Sequence, residues 1–343
     1  MSAGLKVLAP GLHTTVQDLG RPGYQAIGVP VSGALDSESL RLANALVGNA
    51  PGMAALEVLI SGPSFEVVAE TVRVAIAGAG ASLVIDVEKA RVEAGQSVTL
   101  PRGETVEIVV GRRAACCYLA VEGGIAVPPV LGSASTYTRA ALGGLDGRIL
   151  RHGDVVPLAV ARASERAELR RSLPMQATTD QAVRVVLGPQ QEFFTKQAVA
   201  TLLDAEFRIS QSADRMGMRL DGPLLHHRAG WDIVSDAIVT GAIQVPGSGQ
   251  PILLLADHQT TGGYPKIATV VSADLPVVGR RRPGDALRFT AVTVEAAEEL
   301  CRIEERRLAE LVASLEPTTW RPGIDLGSLY DGNLISGVVS GFD

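Results

Sequence analysis

Ala55-Leu56-Glu57-Val58-Leu59-Ile60 runs into the turn Ser61-Gly62-Pro63, and six further apolar runs follow: Phe65–Val68, Val72–Ala77, Ser82–Val87, Ser97–Leu100, Val106–Val110 and Cys116–Val121. Glycine, proline and charged turn residues separate them at short, even intervals. That punctuation belongs to a barrel or sandwich of short strands, not to alternating strand and crossover helix. The fold class expected from this stretch is mainly β with a few helices.

One helix precedes the run. Asp36 is a good N-cap, Glu38 suits the first turn, Leu40, Ala43 and Val47 share a face, and Gly48 supplies the stop. Downstream, 161–182 is charged and includes Leu169-Arg170-Arg171 before Pro174, as a linker would. A second strand-rich stretch then comprises Val183–Leu187, Glu206–Ser210, Ile238–Val245, Ile252–Ala256, Ile267–Val271 and Ala286–Ala291. An amphipathic helix is expected from about 294 to 313, capped by Thr293, with Val294, Ala297, Cys301, Leu308 and Leu311 roughly in phase. The expected organisation is an N-terminal β-barrel over 1–160, a linker over 161–182, a C-terminal β-barrel over 183–292, and a helix and tail over 293–343. Each half carries a Gly-Pro turn, a paired glycine and a Gly-Asp before a strand, a loose sign of duplication.

The chain has 343 residues, 46% of them hydrophobic but only 4% aromatic, enough for two aliphatic cores. A net charge of −6 argues against nucleic acid as a partner. The run Arg280-Arg281-Arg282 before Pro283-Gly284-Asp285 reads as a solvated loop. No apolar stretch reaches membrane-span length and the start, MSAGLKVLAPG, lacks a secretory apolar region. With only three cysteines, the setting expected is cytoplasmic and reducing. Cys116 and Cys117 point to opposite faces of a strand, so they do not pair, and all three thiols read as small buried hydrophobes.

Phosphate-loop, zinc-protease, Cys-x-x-Cys and nucleophile-elbow signatures are absent, and the adjacent His226 and His227 chelate poorly, so no metal is expected. Four polar segments remain. Thr14 to Tyr24 contains Asp18 and Arg21, readable as a paired turn. Ser133, Ser135, Thr136 and Arg139, followed by Gly143-Gly144, form either an anion cradle or an ordinary Ser/Thr turn. Asp214-Arg215 before Met216-Gly217 is either a surface ion pair or an orienting pair in a cleft. The richest segment is Asp257-His258-Gln259-Thr260-Thr261-Gly262-Gly263-Tyr264-Pro265-Lys266. An apolar strand there delivers a carboxylate, an imidazole, an amide and hydroxyls onto a double-glycine turn, a natural binding position.

Several ordered motifs carry a resemblance: Thr15-Val16-Gln17-Asp18-Leu19-Gly20-Arg21, Ser32-Gly33-Ala34-Leu35-Asp36, Leu42-Ala43-Asn44, Leu56-Glu57 and Gly132-Ser133. They continue with Asp214-Arg215-Met216-Gly217, Gly241-Ala242-Ile243-Gln244-Val245-Pro246, Asp257 through Ala268 and the tail Asn333–Val339. Over nearly its whole length the chain resembles the biotin-dependent carboxyltransferase-type family, which includes the 5-oxoprolinase C subunit, a second allophanate hydrolase-type subunit and the antagonist of a bacterial histidine-kinase inhibitor. One departure is the arginine run 280–282, where the family usually carries a glutamine before the Pro-Gly-Asp turn.

The resemblance implies two cyclophilin-like β-barrel subdomains and a smaller sister subunit, with a third subunit in the oxoprolinase system. The implied activity is ATP-dependent opening of the lactam ring of 5-oxoproline. Alternatives are a carboxyl transfer from carboxybiotin to urea or another amide, and a regulator that binds a kinase-inhibitor-like sister protein. ATP is the implied cofactor, bound by this chain or elsewhere in the complex. Chemistry and resemblance together nominate Lys266, Asp257, Asp214, Arg215 and Tyr264 as catalytic. Lys266 and Arg215 would supply positive charge, Thr260, Thr261, Gly262 and Gly263 would donate to an oxyanion, and either Asp257 or Asp214 would orient a base or nucleophile. Gln259, Gln244, Ser133, Ser135, Thr136, Arg139, Asp18, Arg21, Ser32, Asp36 and Asn44 complete the expected substrate and anion set.

Overall fold

A computed structural model describes residues 3–85, 90–112, 114–172, 181–228 and 230–318. The tail motif Asn333–Val339 and the 173–180 part of the expected linker lie outside the described residues.

The chain is mainly β, with three large sheets and four α-helices among the described residues: α1 (Ser37–Leu46), α2 (Lys196–Asp204), α3 (Leu275–Gly279) and α4 (Val294–Ala313). The first sheet orders its strands as Val155–Pro157, Gly4–Ala9, Ser64–Val67, Thr105–Val109, Ser82–Ile85 and Ala90–Glu93. The second runs His13–Gln17, Ala55–Leu59, Cys116–Val121, Thr71–Ala77, Gln96–Pro101, Glu168–Arg170 and Glu316–Thr318. Leu5, Val58, Phe65, Val74, Leu83 and Leu119 close the space between them. Strand alternation sends Cys117 into that core and Cys116 to the opposite face, under α1 with Leu40, Leu46 and Tyr118. Cys301 departs from the sequence expectation: it sits on α4 and is only partly buried.

The C-terminal half builds an eight-stranded sheet ordered Ala286–Leu287, Phe207–Asp214, Gly217–Asp221, Ile252–Leu254, Ala242–Gln244, Lys266–Val270, Val183–Leu187 and Phe289–Ala291. Its core gathers Val185, Leu202, Phe207, Leu220, Ile243 and Ile267. Three expected strands come out differently. Ile238–Val245 shrinks to Ala242–Gln244 because Gly241 turns left-handed at φ 88°, pressed on Val270 and Leu275. Ala286–Ala291 splits at Arg288, Leu287 pairing with Phe207 and Phe289 running parallel to Val183. Glu206–Ser210 extends to Asp214 through an irregularity and turns back along Gly217–Asp221, a return strand the alternation does not announce. Strands Gly4–Ala9 and His13–Gln17 and helix α2, capped by Thr195 at 3.0 Å from the Ala198 N–H, also escape the sequence pattern.

Helix α4 and the strand after it pack back on the N-terminal half. Arg307 of α4 donates to Glu38 at 2.6 Å, Arg41 of α1 donates to Glu305 at 2.6 and 2.8 Å, and Glu316–Thr318 pairs with Glu168–Arg170. No helix among the described residues is long and apolar enough to cross a membrane.

Candidate functional site

The two halves meet through buried charge. At the tip of the hairpin Phe207–Asp221, the Asp214 carboxylate accepts from the backbone N–H of Met216 at 2.8 Å and of Gly217 at 3.2 Å. That local turn sends Arg215 inward, away from Asp214, so the two are not the ion pair their adjacency suggested. Arg215 donates through Nε and Nη2 to Asp257 at 2.8 and 3.1 Å, through Nη2 to the Gly33 carbonyl at 2.7 Å, and through Nη1 to Glu57. Burial opposes its charge, but Glu57 and Asp257 outweigh burial and raise its pKa further. Glu57 also accepts from the Tyr118 hydroxyl at 2.5 Å and the Leu35 N–H at 2.9 Å.

A second clamp runs beside it. Arg280 donates to Asp36 at 2.6 and 2.9 Å and to Glu38. The arginine run is therefore not the solvated loop expected: Arg280 is paired at the junction and Arg281 is 4% exposed. Gly279 explains this, since a Cβ there would stand 2.2 Å from the Leu35 carbonyl oxygen, so the two backbones touch. Asp36 serves α1 as well, accepting from the Ser39 N–H at 3.0 Å. Asn44 is likewise structural, donating to the Met53 carbonyl at 2.7 Å and accepting from Asn49 at 3.0 Å.

The Ser/Thr loop does form an anion cradle, and the anion it holds is Asp18. That carboxylate accepts from the Ser133 hydroxyl at 2.6 Å, the Ser135 hydroxyl at 2.5 Å, the Ala134 N–H at 2.6 Å and the Gly20 N–H at 2.7 Å. Arg21, 1% exposed, donates to the carbonyls of Ser135 and Val130 instead of pairing with Asp18. Thr136 donates to the Val16 carbonyl at 2.9 Å. Thr14–Gln17, read from sequence as a polar turn, is part of a buried strand. Arg139 alone points outward, its guanidinium 4.0 Å from Asp214.

An open cavity of about 440 Å³ lies on the other side of that hairpin tip. Asp214, Gln244, Gln259 and Tyr264, all nominated from sequence, line it together, with Arg219 and Gln211 beside them. Gln244 is 1% exposed, and its Nε2 has no partner in the protein. Gly262 makes room for it, because a Cβ there would sit 2.9 Å from that nitrogen. Across the strand pair, Lys266 faces Gln244 in register but its side chain goes elsewhere. Its Nζ, on a residue 2% exposed, donates to Asp236 at 2.8 Å and to the Ala237 carbonyl at 3.1 Å. Its charge is thus spent on fastening the Asp236–Ala237 strand, which pairs with Thr261–Gly262. The Thr260 carbonyl accepts from Ile238 at 3.0 Å and the Gly263 carbonyl from Ile233 at 2.8 Å, so the double-glycine turn is roofed by residues 233–238.

Ser32 lies at the junction with φ 55° and a buried hydroxyl without a protein partner, outside this cavity. His258, not nominated from sequence, is fully buried. Burial lowers its pKa, keeping the ring neutral, and its Nδ1 contacts the Gln259 carbonyl at 2.6 Å. Arg219 was missed because the return strand was, and Gln211 because the strand before it runs past Ser210; a Gly217 directly after Asp-Arg-Met was the available signal. No group of three or more His, Cys, Asp or Glu among the described residues is arranged to hold a metal.

A family model described as the carboxyltransferase domain, subdomain A and B, matches residues 27–291. The chain belongs to the carboxyltransferase family. This carboxyltransferase-family chain is 34% identical to the 5-oxoprolinase C subunit of Escherichia coli over 313 residues, covering 90% of this chain and 97% of that one. It superimposes on the Kluyveromyces lactis urea carboxylase with TM-score 0.81 and 30% identity, covering 93% of this chain but 30% of that one. It also superimposes on the protein TTHA0988 with TM-score 0.75 and 36% identity, covering 84% of this chain and 56% of that one. These relatives are enzymes or enzyme subunits by name where a name states an activity. The barrel-like, mainly β architecture is that of the family.

Proposed function

We propose that this chain is the carboxyltransferase-type subunit of an ATP-dependent, 5-oxoprolinase-like complex, and that the 440 Å³ cavity receives the lactam. The observation that carries the reading is Gln244: it lines the cavity, its Nε2 is buried without a protein partner, and a turn of the amide group offers that donor to an acceptor such as a ligand carbonyl. In this arrangement the Gln244 Nε2 donates to the lactam oxygen and polarises its carbon for attack. Asp214 accepts the ring N–H, and Arg219 takes the substrate carboxylate as a fork. Gln259 and Tyr264 shape the opposite wall. Lys266 acts at one remove, holding the roof strand through Asp236. Arg215 and Asp257 act as positioning residues, since Arg215 is shared between the Asp257 and Glu57 carboxylates at the base of the hairpin tip.

ATP enters through the complex, with a smaller sister subunit and a third oxoprolinase-type subunit as partners. Coverage of 97% of a 5-oxoprolinase C subunit favours this over the urea reading. The superposition on urea carboxylase keeps carboxyl transfer from carboxybiotin as the second reading. Co-purification with the sister and third subunits, followed by ATP turnover with 5-oxoproline or urea, separates them. Turnover stimulated by 5-oxoproline and lowered by about one to two decades in Gln244→Leu supports the proposal. Stimulation only by urea, and only with a biotin carboxylase and carrier present, transfers the site to the second reading. A complex that forms but turns over no ATP with any amide points to a regulator.

A further inference from the structure

A second cavity, about 280 Å³, opens on the far side of the same hairpin tip, between the two halves. Gln211 and Asp214 line both cavities. The walls differ in kind. Leu59, Ile60, Met218 and Leu255 give the second cavity an apolar body, and Arg281 and Arg282 give it a cationic edge. Water gains little from such walls, while an apolar group gains by covering them. Guanidinium forks select planar anions over neutral heads.

Two further observations set this cavity apart from a packing gap. Ile60 holds φ 66° and is 50% exposed. A β-branched residue in the left-handed region is a real outlier, and such strain concentrates where a side chain must be presented. Among the described residues the Arg282 side chain uses one donor, Nη1, on the Arg112 carbonyl at 2.9 Å, and a guanidinium has five. The chain as a whole carries a net charge of −6, so two neighbouring arginines on an apolar cavity are not a consequence of composition.

We propose that this inter-half cavity is a second binding site, for a small carboxylate with an apolar body, its head on Arg282 and its body against Leu59, Ile60 and Met218. A ligand there lies one strand away from the lactam cavity, with Gln211 and Asp214 between the two occupants. The proposal goes beyond the lactam reading and does not depend on it, because binding is read without turnover.

Octanoate serves as the probe, titrated calorimetrically into the full-length chain, with octanol and inorganic phosphate as comparators. Saturable octanoate binding is expected, weaker by about tenfold or more for octanol and for octanoate with Arg282→Gln. Ala115→Leu adds bulk to this cavity's wall and leaves the lactam cavity's lining untouched, so it should abolish binding at unchanged melting temperature. If Arg282→Gln disturbs the fold, the Ala115→Leu and octanol arms still decide. The site is refuted if octanoate fails to saturate below roughly 10 mM, if Ala115→Leu binds it as wild type does, or if octanol or phosphate binds equally well.

Discussion

The Asp18 cluster and the Gln244 cavity look alike in sequence, each a knot of amides, hydroxyls and charges beside paired glycines, yet they do opposite things with their polar atoms. Asp18 takes four donors from its own chain and leaves its carboxylate saturated. Gln244, on the wall of a cavity, is more deeply buried than the half-buried Asp18, and its amide nitrogen has no partner. The glycines act alike in both. A Cβ on Gly144 would stand 1.9 Å from the Thr136 hydroxyl, and one on Gly262 would stand 2.9 Å from the Gln244 nitrogen, so each lets backbone pack against a polar side chain. Polar richness marks both regions, and Arg21 Nη1 near Asp18 is unpartnered too; what separates the two named groups is that the Asp18 carboxylate is saturated, while the Gln244 donor is unmade on a residue that lines a cavity.

The largest way to break this comparison is at the charge network beneath the cavity. Arg215→Met leaves Glu57 and Asp257 buried without their cation and should destabilise the chain by about 3–5 kcal/mol in denaturant unfolding. A loss below about 1 kcal/mol would mean that the halves are held by apolar packing alone.

Next in size is acid sensitivity at the second clamp. Burial alone would raise the Glu38 carboxyl, but Arg280 and Arg307 override it and hold it at about 2, against an ordinary 4.5. A depressed carboxylate contributes its stability above the unfolded value and loses it as pH falls through the folded one. Unfolding free energy should therefore drop by roughly 3 kcal/mol between pH 4.5 and 2. Glu38→Gln should lower stability at neutral pH and flatten that part of the profile. An unchanged profile in the variant would remove Glu38 from the clamp.

The comparison itself is sharpened by two variants measured side by side. Asp18→Asn keeps the shape but weakens charge-assisted bonds, and should cost about 1–3 kcal/mol of stability while the folded fraction keeps its turnover. Gln244→Leu should hold stability within about 1 kcal/mol, because it removes an unmade bond, and should lower turnover in the complex by one to two decades. The reverse pattern, in which Asp18 governs turnover and Gln244 governs stability, would overturn the assignment of the two regions.

The smallest expected effect concerns the thiols. Burial pushes the Cys117 thiol up to about 12 and also raises Cys116 well above its ordinary value, with Asp36 and Glu57 adding to the rise at Cys116. Native protein should show one thiol accessible to a disulfide reagent, Cys301, and all three only after unfolding. Rapid labelling of Cys116 would mean that the face under α1 opens on that timescale.

Much of the fold was legible because it rests on local rules. Strand Cys116–Val121, the opposed faces of its two cysteines, strand Val183–Leu187, the Asp36 cap and Gly48 stop, and Thr293 before α4 all follow from alternation, capping and glycine. Composition and motif order also carried the family and the mainly β class. What sequence could not supply is partner choice across the chain. The same residue types make Asp18 a satisfied structural group and Gln244 an unpaired donor, and Arg280 a buried clamp and not a solvated loop. Nothing within a few positions of any of them distinguishes these outcomes. They depend on contacts from strands and turns far away in the chain, such as Glu57 with Arg215 and Asp36 with Arg280, and a buried polar group's role is set by whether such a distant partner arrives.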